Sequence, residues 1–413
     1  MSEAKGQKAG ALLQNLPYLL FLVFYWSSEA LFVPYLGLYF GMRGMSSMQI
    51  GFLNSLFYVI TILSAASIGY IADKTRRPRL VVTLCFTATL LVIVYMSRAT
   101  SFLHLGAAYA LYGYFTVSCC DLVDKLLLER LQGNTRYFGI FKVGSPLGYS
   151  AGVLLAGALI PRLGLTSLFP ACMAFTFLCV VMALLMKESQ SAGQVKHNKV
   201  PLRHLLTNKN SLYIYGVMAL WGFSESGALN YLAIYMADKG FTTQYTSLLI
   251  TIAMTGQTIA FFLMPTIQPV IRPKTMVMLG FIVLSGRVFS LALVAQLPFF
   301  VIALLHFLGG CAQAFVLTPI TLMIGRSFED AVSSSAQTMK TVANKGIGSS
   351  IGVLLFGWLY GFLPASGVML AYACLILLFG LCSRLGRKSE ENNDAAAMAA
   401  PAPIQEKTAP PNK

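Results

Sequence analysis

The chain has 413 residues, of which 56% are apolar and only 11% charged, against about a quarter charged in soluble domains. That composition excludes a soluble globular domain and describes a chain that crosses a membrane repeatedly. The formal net charge of +15 would suit a nucleic-acid partner, but the positions of the basic residues give it another meaning.

Apolar runs long enough to cross about 30 Å of hydrocarbon as helices recur along the whole length. Twelve spans are predicted, at 16–40, 47–71, 79–97, 103–125, 137–160, 166–186, 212–236, 244–267, 275–296, 298–322, 333–360 and 365–383. Of the 30 Lys and Arg, 21 fall on the side of the N-terminus and four (Arg43, Arg98, Arg162, Lys239) on the other. The remaining five, Lys125, Lys142, Arg287, Lys340 and Lys345, lie within spans. The positive-inside rule then predicts a multi-pass protein of the cell (inner) membrane with both termini cytoplasmic and no nucleic-acid partner. The first run has no small-residue cleavage site and is followed at once by a second, so it is expected to be retained. All eight cysteines sit in apolar segments without metal-like spacing and are read as free packing residues; neither metal nor cofactor is expected.

The first span carries Ser28 and Glu29, then Tyr35, Leu36, Tyr39, Arg43 and Gly44. The seventh repeats the pattern at an offset of 196 with Ser224, Glu225, Tyr231, Leu232, Tyr235, Lys239 and Gly240. Arg77-Pro78-Arg79 recurs at an offset of 195 as Arg272-Pro273-Lys274, and Gly148–Leu159 recurs at 200 as Gly348–Leu359. Three matches in one order predict a duplicated chain: an all-α membrane protein of two pseudo-symmetric six-helix bundles. The bundles are expected at 1–186 and 211–383, joined by a charged cytoplasmic linker at 187–210 and followed by a disordered cytoplasmic tail at 384–413. The shared Gly-x-x-x-Gly predicts close helix packing.

Two parallel six-helix repeats with a cytoplasmic linker resemble the major facilitator fold, whose halves rock about a site near the bilayer midplane. Gly69, Asp73, Arg76 and Arg77, in GYIADKTRRPR, resemble that superfamily's cytoplasmic loop motif. The resemblance implies a gating latch between helix ends, weaker in the second half, where Gln268 stands in place of Asp73. The intramembrane charges resemble those of the lactose permease type of proton symporter and its phenylpropionate, nucleoside and siderophore relatives. That resemblance implies that Asp124 and Lys142 grip the substrate, that Glu225 ion-pairs with Lys345, and that Arg287 and His306 match a helix 9 arginine and a helix 10 histidine. Three departures stand out: Gly309 replaces the glutamate of the proton site, no tryptophan adjoins Lys142, and Glu29 has no counterpart.

Read from the residues themselves, an ionisable group at the centre of a span costs roughly 2.5–3.5 kcal/mol on insertion scales. Glu29, Glu225, Arg287 and Lys345 must therefore pair, face water or work, and a structural ion-pair network competes with a functional one. Burial favours the neutral form of an acid and a nearby cation favours the charged form. A carboxylate exchanging one for the other would take up and release a proton; Glu29, Asp124 and Glu225 are the candidates, in that order. His306 is read as a relay or as a hydrogen-bonded core residue. Asp121, Asp124 and Lys125 share adjoining parts of one helix surface, where a solvated helix end competes with an Asp124–Lys142 substrate site. Tyr35, Tyr39, Asn54, Tyr58, Asn230, Tyr231, Tyr235, Gln257 and Gln313 are the polar groups expected to line a cavity, some of the tyrosines alternatively forming interfacial belts.

No phosphate loop or HExxH is present in the sequence, so an enzyme is not expected. The sequence points to a monomeric secondary transporter, importing a small organic solute (sugar, nucleoside, aromatic acid or siderophore) with protons by alternating access. The alternative is a proton-antiport multidrug exporter, against which the buried cations argue.

Overall fold

The computed structural model describes residues 15–131, 138, 141–187, 209–327 and 330–383, and every regular element among them is helical. The expected linker and tail fall almost wholly outside the described residues. In the first half the helices are α1 (Leu16–Met42), α2 (Ser47–Thr75), α3 (Pro78–Arg98), α4 (Phe102–Arg130), α5 (Gly144–Leu163) and α6 (Leu168–Leu185). In the second they are α7 (Lys209–Asn230, resuming at Leu232–Asp238), α8 (Thr243–Ile267), α9 (Pro273–Ala292) and α10 (Phe299–Ser327). There follow α11 (Asp330–Thr341, a π-helical Val342–Ser349, then Ser350–Tyr360) and α12 (Ala365–Ser383). Ten of these are long and apolar enough to cross a membrane. The other two, α4 and α7, are those carrying Asp121, Asp124, Lys125 and Glu225.

The termini of the helices follow local chemistry. Ser46 caps α2 in a reciprocal box with Gln49, while Ser101 and Thr242 accept from the first turns of α4 and α8. Pro78 and Pro273 occupy first helical positions, where a missing N–H costs nothing. The duplicated Gly44 and Gly240, at φ +81° and +79°, end α1 and α7 alike. Arg76 of the loop motif ends α2 at φ +53°, a left-handed backbone that costs an arginine what a glycine would not pay.

Pairing is the same in both halves: α1 packs on α5 and α7 on α11, α2 on α4 and α8 on α10, α3 on α6 and α9 on α12. The duplicated glycines explain the first of these. A Cβ at Gly148 or Gly152 would run into the α1 carbonyls of Val23 or Ser27, and one at Gly348 or Gly352 into those of Ala219 and Phe223 on α7. Ser27 Oγ donates to the Gly148 carbonyl at 2.9 Å, and Ser226 Oγ to that of Ser349 at 3.0 Å. Outward faces present exposed Leu84, Leu91, Leu103 and Phe300, as a lipid-facing surface requires.

The halves meet where α2 packs on α11 and α5 on α8, with a smaller contact between α1 and the second piece of α7. Among the described residues three hydrogen bonds cross between them. Tyr35 Oη donates to Ser247 Oγ at 2.6 Å, Tyr231 Oη to the Ser47 carbonyl at 2.5 Å, and Asn230 Nδ2 to Tyr58 Oη at 2.9 Å. The first two join the ends of the helices remote from the chain termini and use the duplicated tyrosine once from each repeat. Tyr35 and Tyr231 are thus buried in a seal and do not line a cavity, a correction to the sequence reading.

Substituting Gly148→Ala or Gly348→Ala is expected to destabilise by about 1–3 kcal/mol or more, because a backbone carbonyl, unlike a side chain, cannot yield. Melting in detergent should show it, against a silent Gly216→Ala, where a Cβ meets nothing within 4 Å. Replacing Tyr35 and Tyr231 together by Phe removes two hydrogen bonds worth about 1 kcal/mol each. Maleimide applied from the sealed side should then label Val33→Cys several-fold faster in a cysteine-depleted background.

Candidate functional site

Between the halves lies an inner chamber of about 200 Å3 and an outer vestibule of about 690 Å3. They share Tyr149, Glu225, Met254, Gln257, Gln313 and Lys345 and form one continuous space. The vestibule is walled by Lys142, Ser145 and Pro146 at the start of α5 and by Thr258, Phe261 and Phe262 late in α8. It therefore opens toward the chain termini, opposite the tyrosine seal.

The helices that line the cavity do so at helical spacing: Trp26 and Val33 from α1, Lys142 just before α5 with Ser145 and Tyr149 on it, Trp221, Glu225 and Leu229 from α7. Met254 and Gln257 come from α8, Arg287 from α9, Gly309 and Gln313 from α10, Lys345 and Ser349 from α11. Pro34 also lines the chamber, and its missing N–H interrupts the α1 ladder. The matching position at the 196 offset is Asn230, where α7 breaks before Tyr231. Both first helices of the repeats are therefore interrupted at cavity depth, and at the α7 break Asn230 Nδ2 donates to the Ser226 carbonyl at 2.7 Å.

Of the polar residues expected from the sequence, Tyr58, Asn230, Gln257 and Gln313 line this cavity with Lys142, Glu225, Arg287 and Lys345. Asn54 does not: its amide donates to the Ile50 carbonyl at 3.0 Å and accepts from Tyr109 Oη at 3.1 Å inside the first bundle. Trp26, Tyr149 and Trp221 were not anticipated. Their signal was present as i+7 and i+4 spacing from Val33, Lys142 and Glu225.

The charges resolve into distinct groups. Lys142 pairs with Asp124 at 2.6 Å, so the expected couple forms, at the cavity wall. Lys125 does not join Asp121 but reaches across to Asp73 on α2 at 3.1 Å. The acid of the loop motif is thereby tied to α4, while Arg79 donates to the Leu184 carbonyl ending α6. These are the only ion pairs within 4 Å among the described residues. The Glu225–Lys345 pair implied by the family resemblance is accordingly not made in this conformation. Lys345 instead sets its ammonium 5.7 Å from the centre of the Tyr58 ring, across the interface in the first half. It does so from the π-helical turn of α11, the kind of local widening that accompanies functional sites.

Arg287 is 5% exposed, and its Nε has no hydrogen-bond partner among the described residues. Its side chain lies over Gly309, where a Cβ would collide with the arginine Cβ and Cγ. The absence of the glutamate found there in the lactose type thus has a steric correlate: the arginine fills the volume. His306, one turn earlier, is fully buried, with Nδ1–H donating to the Ile302 carbonyl at 3.0 Å. It does not line the cavity, and its Nε2 has no hydrogen-bond partner among the described residues. Glu29 is 8% exposed and accepts from Tyr112 Oη on α4 at 2.8 Å. It is buried away from the cavity and has no cation within ion-pair distance among the described residues.

Twelve helices in two like halves around a polar central cavity, sealed at one end and open at the other, define a transporter of the major facilitator superfamily. A family model described as the MFS_1 like family matches residues 16–371, and the chain belongs to that family. No curated protein sequence matches the chain. Among solved structures it is similar to the nucleoside transporter NupG at 17% identity, over 90% of this chain and 98% of that one, with a TM-score of 0.79. It is also similar to the inward-open xylose transporter XylE of E. coli at 13%, over 94% and 99%, with a TM-score of 0.68. A third is a bacterial homologue of the human lysosomal transporter Spinster, inward-facing and unoccupied, at 13% identity over 94% and 95%, with a TM-score of 0.66. At these identities the likeness is one of fold.

Removing one member of the Asp124–Lys142 pair strands the other in a half-buried site. Lys142→Gln is therefore expected to lower the melting temperature more than the Asp124→Asn/Lys142→Gln double variant. A double-mutant cycle should return a coupling of about 1 kcal/mol.

Proposed function

We propose that the protein is a proton-coupled importer of a small organic solute that works by alternating access as a monomer. The observation that carries this reading is the cavity itself. One acid, Glu225, shares a wall with Arg287 and Lys345, in a space closed by both repeats at one end. A carboxylate that can exchange cationic neighbours for seclusion as the halves rock is what coupling to protons requires. Glu225 is the acid best situated for that exchange, ahead of Glu29, which stands outside the cavity behind Tyr112. The distribution of Lys and Arg supports termini on the cytoplasmic face of a cell (inner) membrane. The open end then faces the cytoplasm, and the tyrosine seal closes the route from outside. Asp73 with Lys125, beside Arg76 and Arg77 and following Gly69 in the same motif, acts as the gating latch of the first half. NupG and XylE carry a nucleoside and a sugar by their names, and solutes of that size suit the combined cavity.

Solute-induced pH change in proteoliposomes tests the reading, with sugars, nucleosides, aromatic acids, siderophores and cationic dyes as probes. One solute class should alkalinise the outside for the wild type, and the signal should vanish in Glu225→Gln while solute exchange at equal concentrations persists. Loss in Glu29→Gln alone would move the proton to that acid. Proton release driven only by lipophilic cations would make the protein an exporter and end the importer reading.

A further inference from the structure

The inner chamber is rich in donors that nothing accepts. Arg287 Nε and Trp221 Nε1 both lack hydrogen-bond partners among the described residues, at 5% and 1% exposure, and both side chains line the chamber. Guanidinium and indole N–H groups only donate. The ammonium of Lys345, a third donor-only group on the same wall, faces an aromatic ring and, among the described residues, no carboxylate within 4 Å. Lys142 enters the balance already neutralised by Asp124. Glu225 is the one acid on the chamber wall, so two cations face one anion there.

From this we infer that the transported solute is an organic monoanion whose carboxylate is held by Arg287, Trp221 and Lys345. The inference rests on the transporter reading above and narrows its solute. Water can satisfy the loose N–H groups, but it cannot cancel the surplus positive charge. A neutral sugar or nucleoside likewise leaves that charge standing, and a lipophilic cation adds to it. A carboxylate does both tasks, accepting from a planar guanidinium through two oxygens. The chamber of about 200 Å3 admits the acid group and a few further atoms. The body of the solute therefore extends past Tyr149 and Met254 into the larger vestibule, which both residues also line. The same arithmetic gives Glu225 a definite part: it competes with the solute carboxylate for the same two cations, which ties solute binding to its protonation.

The test is ligand-induced thermal stabilisation of the full chain in detergent, using matched acid and amide pairs: nicotinate and nicotinamide, phenylacetate and phenylacetamide, lactate and lactamide. Glucose, uridine and tetraphenylphosphonium complete the panel. At least one acid should bind about tenfold or more tightly than its amide, as a charge-assisted contact demands. Arg287→Gln should abolish the preference, and Trp221→Phe should weaken the acid several-fold while keeping the ring. Glu225→Gln should bind the acid more tightly than wild type, a gain that misfolding cannot produce. If no acid outbinds its amide, or if Glu225→Gln binds the acid more weakly, the inference fails. Glucose or uridine stabilising above every acid would overturn the anion while leaving transport intact. Stabilisation by tetraphenylphosphonium alone would overturn both.

Discussion

Charge inside hydrocarbon has to be answered by another charge, a donor or water, and the arrangement of this molecule follows from how each case is answered. Asp124 is answered by Lys142. Glu29 is answered by hydroxyl groups, the Tyr112 phenol among them. Arg287, Lys345 and Glu225 are answered by opening a cavity between the two halves, where they can share water and solute. The first two answers are local and hold one bundle together. The last requires two bundles, and it is why a duplicated chain can do what a single six-helix unit cannot.

The backbone makes room for this by giving up side chains. Glycines on α5 and α11 let those helices lie against α1 and α7, so that the interrupted stretches at Pro34 and Asn230 face inward at the same depth. Gly309 gives up its volume to Arg287 in the same way. Small residues therefore act twice here, once to bring helices together and once to seat a cation that would otherwise have no place.

Much of this was legible in the sequence, because duplication is written in residue identities and spans in apolar runs. Glu225, Arg287, Lys345, Gln257 and Gln313 could be assigned to the cavity because polar groups on apolar helices have few other places to go. Spacing gives the face of a helix but not its depth along the bundle. That is why Tyr35 and Tyr231 were expected in the cavity and lie in the seal, and why Asn54 turns inward to Tyr109. Trp26, Tyr149 and Trp221 were hidden by their own apolarity, which makes an aromatic wall indistinguishable from lipid-facing residues in a one-dimensional reading. The absent Glu225–Lys345 pair has a different cause: a sequence records which groups can meet, whereas a single conformation records which have met.

The seal at the closed end is made of two crossings, Tyr35 to Ser247 and Tyr231 to Ser47, each repeat supplying the tyrosine once. Related by the pseudo-two-fold axis, they lie on opposite sides of the line along which the halves part. Each crossing ties a first helix of one repeat to a second helix of the other, so the halves cannot separate at this end without giving up both hydrogen bonds.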